Sequence, residues 1–389
     1  MENQKIIVVG AGIGGLATAL GLLRAGHVVR VYEQARELGE VGAGLTITPN
    51  GGKALAWLGL GPALDSILSE PESGAIRHFA TGELLVPLLA EDARGRYGGP
   101  LGHVHRADLH AALVRAVRAI DPDCIEAGRE LVGLRQDGDA VLASFADGGQ
   151  DSARLLVGCD GVRSRVRELL FGDGGAQFAG FVAWRGLIRS DSLPEPMRSP
   201  PLAMWLGPGR MFMRYRLRGG ELFNYVATAR LDTWAEEGWS VRDSVEGLLE
   251  RFGHFEPTVI EAIRATPPDR LFRWGIFGRR PLEHWSVGGA TLLGDAAHGM
   301  PPFLGQGAVA ALEDAVVLAR CVTAAASPTE ALQRYEQARI GRANGMMQAA
   351  HACGPLYHAD EPMAQVAALG KSMAEQRRLY DYDAATTPV

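Results

Sequence analysis

Cysteine is scarce in this chain: four residues in 389, Cys124, Cys159, Cys321 and Cys353, lie far apart. That number and spacing exclude a disulfide scaffold. None pairs as CxxC, so neither a zinc knuckle nor a dithiol redox couple is expected, and no metal site is assigned. Long hydrophobic runs are also missing. No stretch approaches the roughly 18 apolar residues that a membrane-spanning helix needs. An excess of positive charge is absent too. Lys and Arg number 39 against 45 Asp and Glu, a formal net charge of −6, which argues against a nucleic-acid partner or an anionic membrane surface. The opening Met1-Glu2-Asn3-Gln4-Lys5 is not the start of a signal peptide. Free thiols and the lack of a leader together predict a cytoplasmic protein.

What the chain has in abundance is glycine, 50 residues, about 13% against an average near 7%. Many positions must therefore turn tightly or let a ligand approach the backbone. The first cluster is informative. Lys5 to Gly10 is a short, β-branched, apolar run of the kind a buried parallel strand uses. Gly10-Ala11-Gly12-Ile13-Gly14-Gly15 follows at once, then a helical stretch to Arg24 and a second strand from Val28 to Glu33. In GxGxxG the first glycine makes the turn, the second admits a pyrophosphate, and the third lets helix and strand pack. The helix N-terminus offers amides and partial positive charge to the phosphates. Glu33, closing the second strand, is placed to bind a ribose diol and would repel a 2′-phosphate, so the site suits FAD or NAD.

Further on, helical spacing covers Arg106 to Ile120, and Leu131–Gln136 with Ala140–Ala146 reads as a hairpin. Between about 173 and 285 the character changes to alternating, aromatic-rich strands: Val182–Ile188, Ala203–Leu206, Met211–Leu217 and Glu221–Ala229, with helices near Val241–Phe252 and Pro257–Ala265. The first style returns at Ala290–Gly294 and leads into a long helix from Gly307. Residues 329–378 read as largely helical. The fold expected is α/β: a discontinuous Rossmann-like domain, an inserted and mostly antiparallel sheet domain, and a helical C-terminus.

The choice between FAD and NAD rests on the second half. Leu292-Leu293-Gly294-Asp295 puts an acidic group just past a strand, and Gly305-Gln306-Gly307-Ala308 opens the next helix. Two such turns nearly 280 residues apart suit a long, extended cofactor. Here the chain resembles the class A flavoprotein aromatic hydroxylases, the group of the salicylate, 3-hydroxybenzoate and 6-hydroxynicotinate monooxygenases. GAGIGG with Glu33, CDGVRSRVR at 159–167 and GDAAHGMPPFLGQGA at 294–308 carry the resemblance, with His105-Arg106-Ala107-Asp108-Leu109 and Trp184-Arg185-Gly186.

The resemblance implies non-covalent FAD, with NADH or NADPH as reductant and O2 as co-substrate. An aromatic molecule, phenolic or carboxylated, would be hydroxylated through a flavin hydroperoxide. Gly12, Gly14 and Gly15 would hold the pyrophosphate, and Glu33, Gln34 and Leu131 the adenosine end. Arg106 would contact the cofactor, Asp160 would serve FAD and NAD(P)H together, and Asp295 would take the ribityl chain. The Gly307 and Ala308 amides would face the flavin ring, and Gly42 to Leu45 would run along it. The FAD domain would span 1–73, 101–172 and 286–350. The substrate domain would span 74–100 and 173–285, and 351–389 would be a C-terminal helical segment. A monomer or homodimer is expected.

For the chemistry, Met211, Met213, Tyr215 and Leu217 share one strand face, an apolar wall with one phenol. By the resemblance Tyr215 would assist removal of a ring-hydroxyl proton; an ordinary core tyrosine is the plainer reading. Arg185 would hold a substrate carboxylate, or serve as a structural ion pair between domains. His298 reads as a packed histidine and the Arg214, Arg216 and Arg218 row as a solvated sheet face. Relatives carry histidine where Thr46 and Met211 stand, and often a polar residue at Phe303. None of the three residues here removes a proton at neutral pH. The pocket of Thr46, Met211, Met213, Tyr215 and Phe303 therefore points to a more apolar or bulkier aromatic. A related epoxidase or N-hydroxylase is the alternative, then a flavin-free dehydrogenase or a non-catalytic flavin carrier.

Overall fold

The computed structural model describes residues 4–39, 44–89, 92–172, 175–234 and 241–389. Gly42 and Ala43, expected beside the flavin ring, and the boundary expected at 173 lie outside them.

Lys5–Val9 is the centre of a six-stranded sheet. Its β-branched side chains are buried on both faces, which is why the run is apolar without alternation. Val28–Glu33 and Leu155–Gly158 flank it in parallel. Ile125–Ala127 extends one side and Ala290–Leu292 the other, both parallel, with Ser286–Val287 closing the edge as an antiparallel hairpin. Helix Ile13–Arg24 packs between helices Arg106–Ile120 and Gly307–Ala324 over this sheet. A three-stranded antiparallel sheet, Leu131–Asp137, Ala140–Phe145 and Gln150–Ala153, contains the expected hairpin and lies against the parallel strands.

The second sheet has eight strands. From one edge they run Val241–Arg242, Leu271–Gly278, Gln177–Arg189, Leu222–Arg230, Arg210–Leu217, Leu202–Gly207, Ser73–His78 and Leu84–Leu89. All neighbours are antiparallel except Ser73–His78, which pairs in parallel with Leu202–Gly207. The alternation in these strands builds two different faces. One packs Trp184, Trp205, Phe212, Phe223 and Tyr225 against helices Val245–Phe252 and Pro257–Arg264. The other turns Ala183, Met211, Met213 and Val226 toward Phe303, Leu304 and Tyr357. The helix expected from Val241 starts at Val245, because Val241–Arg242 is spent as an edge strand and Ser244 caps the helix by accepting from Gly247 N at 3.0 Å.

One expectation fails on this sheet. Arg214 is not on a solvated face but fully buried. Its guanidinium lies 4.4 Å from the Phe223 ring centre and 5.6 Å from that of Trp205, and donates to the carbonyls of Met197 and Pro200. Phe212 beside it draws two helices over the face. The carbonyls then supply what water would have given. Arg218, at the strand's end, keeps a partly exposed bidentate pair with Asp108.

Helix Pro328–Tyr357 begins at Ser327, whose hydroxyl accepts from Glu330 N at 3.2 Å. It carries Arg339 into the protein interior, against Asp314 at 2.7 Å and Glu313 at 2.8 Å, all three without solvent exposure. The last residues return to the core: Arg320 Nη1 donates to Ala384 O at 2.7 Å and Thr387 O at 2.8 Å. Among the described residues no helix is long and apolar enough to cross a membrane. None of their His, Cys, Asp and Glu groups is arranged to hold a metal ion.

Candidate active site

Two cavities meet at Gly12, Cys159 and Gly161. The first is lined by Val9, Gly10, Tyr32, Glu33, Gln34, Leu131 and Asp160. A Cβ placed on Gly12 or Gly161 would meet nothing within 4 Å. The junction is thus bare backbone facing open space. Gly12 also starts helix Ile13–Arg24 with no side-chain cap and no acidic residue in its first turn. Its amides and partial positive charge are left for an anion. Gly14 lines the second cavity. Gly15 lines neither: its Cβ would sit 1.9 Å from Gly10 O, so it serves close packing of helix on strand.

Glu33 closes the far end. One carboxylate oxygen accepts from Ala11 N at 2.7 Å and the other from Ala35 N at 2.9 Å, which holds the carboxylate still with lone pairs to spare. Asp160 accepts from Ser164 Oγ, Arg165 N and Val166 N, so it caps the next helix as well as lining the cavity. Burial raises its carboxyl against those hydrogen bonds.

The second cavity, of about 350 Å³, runs from this junction to the eight-stranded sheet. Arg106, Asp295, Gly307 and Ala308 line its near end. Arg106 opens helix Arg106–Ile120, and burial lowers its guanidinium while Asp295 opposes the shift. Helix Gly307–Ala324 starts there without a side-chain cap or a first-turn carboxylate. The groove therefore offers a diol acceptor, two uncapped helix starts and an acidic group in a row. That order fits an extended flavin dinucleotide whose pyrophosphate lies at Gly12.

The far end is the sheet wall, with Thr46, Met211, Met213, Tyr215 and Phe303 all on the lining. Cross-strand register arranges it in rows. Arg185, Val226, Met213 and Met204 form one row. Asn224 and Tyr215 form the row on one side, and Ala183, Thr228 and Met211 the row on the other. Rows are two residues apart along each strand, about 7 Å. Tyr215 is 4% exposed, and burial pushes its phenol well above the usual range, with Arg185 opposing. Arg185 stacks on Trp274, 4.6 Å from the ring centre, and no carboxylate among the described residues pairs with it. The structural ion pair is thereby excluded within those residues, because no acidic group lies in reach. Burial lowers its guanidinium to about 10. His298 is packed, its Nε2 2.6 Å from Asp314 Oδ2 with both side chains unexposed.

Four further groups at this site carry no local signal that sequence reasoning used. His103 lies opposite Thr46 in the strand pair Gly44–Ile47 and Gly102–His105 and stacks on Tyr215. Asn224 Oδ1 accepts from Gly44 N at 3.0 Å. Thr228 and His358 meet across 130 residues. The alternation of Asn224, Val226 and Thr228 was available as a cue to a second pocket-facing strand; nothing local marks His103 or His358.

Comparison with known proteins agrees with this geometry. The FAD binding domain family matches residues 3–350. A 3-amino-4-hydroxybenzoate 2-monooxygenase of Streptomyces platensis is 35% identical over 384 residues, 98% of this chain and 95% of its own. A 6-hydroxynicotinate 3-monooxygenase of Pseudomonas fluorescens is 36% identical over 357 residues, 90% of this chain and 91% of its own. Among solved structures, HpxO of Klebsiella pneumoniae, complexed with FAD and uric acid, superposes with a TM-score of 0.85 at 28% identity, over 98% of this chain and 93% of that one. With the groove and the sequence pointing the same way, the chain belongs to the FAD binding domain family and, within it, to the FAD-dependent aromatic monooxygenases.

Proposed function

We propose that this monooxygenase hydroxylates an aromatic ring bearing a hydroxyl and a carboxylate, on a molecule otherwise more apolar or bulkier than a simple hydroxybenzoate, in the cytoplasm, with NADH or NADPH as reductant. The observation that carries the reading is Arg185: a half-buried cation on a largely apolar wall, lining the cavity and lacking a carboxylate partner among the described residues. A buried charge without its counter-charge is costly, and a substrate carboxylate supplies one. The relatives named above act, by their names, on hydroxylated or aminated aromatic acids.

When bound, FAD reduced by NAD(P)H supplies the activated oxygen. The chain's own residues do the rest. Met211, Met213, Met204 and Val226 pave one side of the ring and exclude water, Arg185 orients its anionic group, and the neutral Tyr215 hydroxyl donates to a ring oxygen as charge builds there. Glu33, Gln34 and Leu131 would hold the adenosine end of the cofactor, Gly12 and Gly14 with the neighbouring Asp160 turn the pyrophosphate, and Arg106, Asp295, Gly307 and Ala308 the flavin half. Free Cys124, Cys159, Cys321 and Cys353 suit the reducing compartment.

The test is NADH and NADPH oxidation by the flavin-loaded protein across a panel of hydroxylated aromatic acids and matching phenols. Stimulation by the acids, a product heavier by one oxygen, and loss of the preference for acids in Arg185→Met are expected. Equal stimulation by acids and neutral phenols would refute the carboxylate reading. Met211 and Thr46, standing where relatives carry histidine, favour a second reading in which a non-phenolic substrate is epoxidised or N-hydroxylated. Product structure separates the two.

A further inference from the structure

The proton acceptor of this site is open, because Thr46 and Met211 cannot serve and Tyr215 is held neutral. Directly across from Met211, in register on the neighbouring strand, stands Thr228. It is among the residues that line the cavity and is itself fully buried. Its Oγ1 is 2.7 Å from His358 Nε2. His358 sits at the end of helix Pro328–Tyr357, and its Nδ1 is 2.8 Å from Gly354 O. A carbonyl only accepts, so Nδ1 carries the hydrogen, and Nε2 then has only a lone pair to offer. The Thr228 hydroxyl must donate to it, which leaves the oxygen's own lone pairs free to accept. Phe181 and Phe303 wall the imidazole, with ring centres 4.4 and 5.2 Å away.

We propose that Thr228 and His358 form the relay that takes the ring-hydroxyl proton from the substrate, with Thr228 touching the substrate and His358 receiving the proton through it. This rests on the phenolic reading above. In the step, the substrate O–H bond breaks as its proton goes to Thr228 Oγ1, and its electron pair stays on the ring oxygen. The Thr228 O–H bond breaks as that proton forms an N–H bond at His358 Nε2. One proton moves, no oxidant is needed, and His358 becomes an imidazolium still donating from Nδ1 to Gly354 O. Reversing both transfers resets the pair.

The charged groups facing His358 are Arg230, from strand Leu222–Arg230, and Asp360, just past the helix, and they pair with each other. Tyr357 precedes His358 on its own helix, and the walls contributed by Phe181 and Phe303 are uncharged. Burial holds the imidazole down at about 4, so it is unprotonated and open at neutral pH. The phenolate formed one hydroxyl away is the counter-charge that favours the imidazolium.

The experiment follows 3-fluoro-4-hydroxybenzoate by fluorine NMR on the FAD-loaded protein without NAD(P)H, so no turnover is involved. The fluorine shift reports ionisation of the adjacent hydroxyl as pH is varied. Wild type is expected to ionise the bound phenol below its free-solution midpoint. Thr228→Val and His358→Gln should each raise the bound midpoint by about one pH unit or more. The double variant should go no further, and Thr228→Ser should restore the low midpoint. Flavin retention and thermal midpoint confirm folding. A wild-type midpoint shared by Thr228→Val and His358→Gln overturns the relay and leaves the phenolic reading intact. A wild type that leaves this phenol at its free-solution midpoint overturns the relay as well. The phenolic reading itself fails separately, if wild-type turnover oxygenates no phenol.

Discussion

The ring of Tyr215 lies flat on the ring of His103, centres 4.1 Å apart and planes 19° from parallel. Burial holds the His103 imidazole down at about 3, so the partner is a neutral aromatic plate. The stack fixes the direction in which the Tyr215 hydroxyl points. Tyr215→Phe keeps the plate and removes the oxygen. Hydroxylation is expected to fall about 10- to 100-fold, the worth of a hydrogen bond to a charged group, with FAD retention unchanged. Turnover within twofold of wild type would refute the role.

Gly44 is held against that same ring. A Cβ there would lie 2.3 Å from Tyr215 Cε2 and 2.4 Å from its Oη. Gly44→Ala must push the tyrosine off His103 or pull Gly44 N from Asn224. Activity should drop at least as far as in Tyr215→Phe, with a protein that still folds. A crystal structure of the variant with Tyr215 unmoved would contradict this.

Glu33 ties two backbone amides and faces the first cavity. Glu33→Ala removes both bonds and the diol acceptor together. FAD affinity should weaken about 10- to 100-fold, or about 1.4 to 2.8 kcal/mol, measured by flavin fluorescence on titration. Glu33→Gln, which keeps acceptor geometry at one oxygen, should lose less.

Arg339 is buried between Glu313 and Asp314, and Asp314 also meets His298. Burial alone would raise the Asp314 carboxyl, but His298 and Arg339 outweigh it and hold it at about 2. Arg339→Met leaves buried Asp314 with His298, and buried Glu313 with Arg342, as the remaining charged partner. A loss of about 3–5 kcal/mol is expected, read as a lower urea midpoint.

Acid should destabilise the fold before its carboxylates titrate. His103 and His358 are neutral in the fold, held at about 3 and about 4, against 6.5 for the free group. Below pH 6.5 the unfolded chain binds protons that the folded chain refuses, so stability falls as pH falls. Each site loses about 2 kcal/mol between neutral pH and pH 5. Above 6.5 this contribution is flat. His103→Gln should remove its share of the slope, and a slope identical to wild type would rule the assignment out.

Much of the molecule was legible in its residues. Lys5–Val9, the glycine turn and Glu33 follow one another within 30 positions, so local periodicity and turn chemistry define the cofactor end. The apolar alternation of Met211, Met213 and Tyr215 likewise marked a pocket wall. Arg214 was misjudged because its row of arginines is charged in sequence, while the carbonyls and aromatic rings that satisfy it come from residues 197, 200, 205 and 223.

The linear order of residues thus determined the family, the cofactor turns and the strand faces, since each depends on neighbours a few positions apart. Tertiary structure alone decided which polar groups work together. Tyr215 meets His103, Gly44 meets Asn224, and Thr228 meets His358 across separations of 112, 180 and 130 positions. Those pairings are set by where sheet, loop and C-terminal helix converge, and by the expulsion of water that leaves each polar atom only the other to bond.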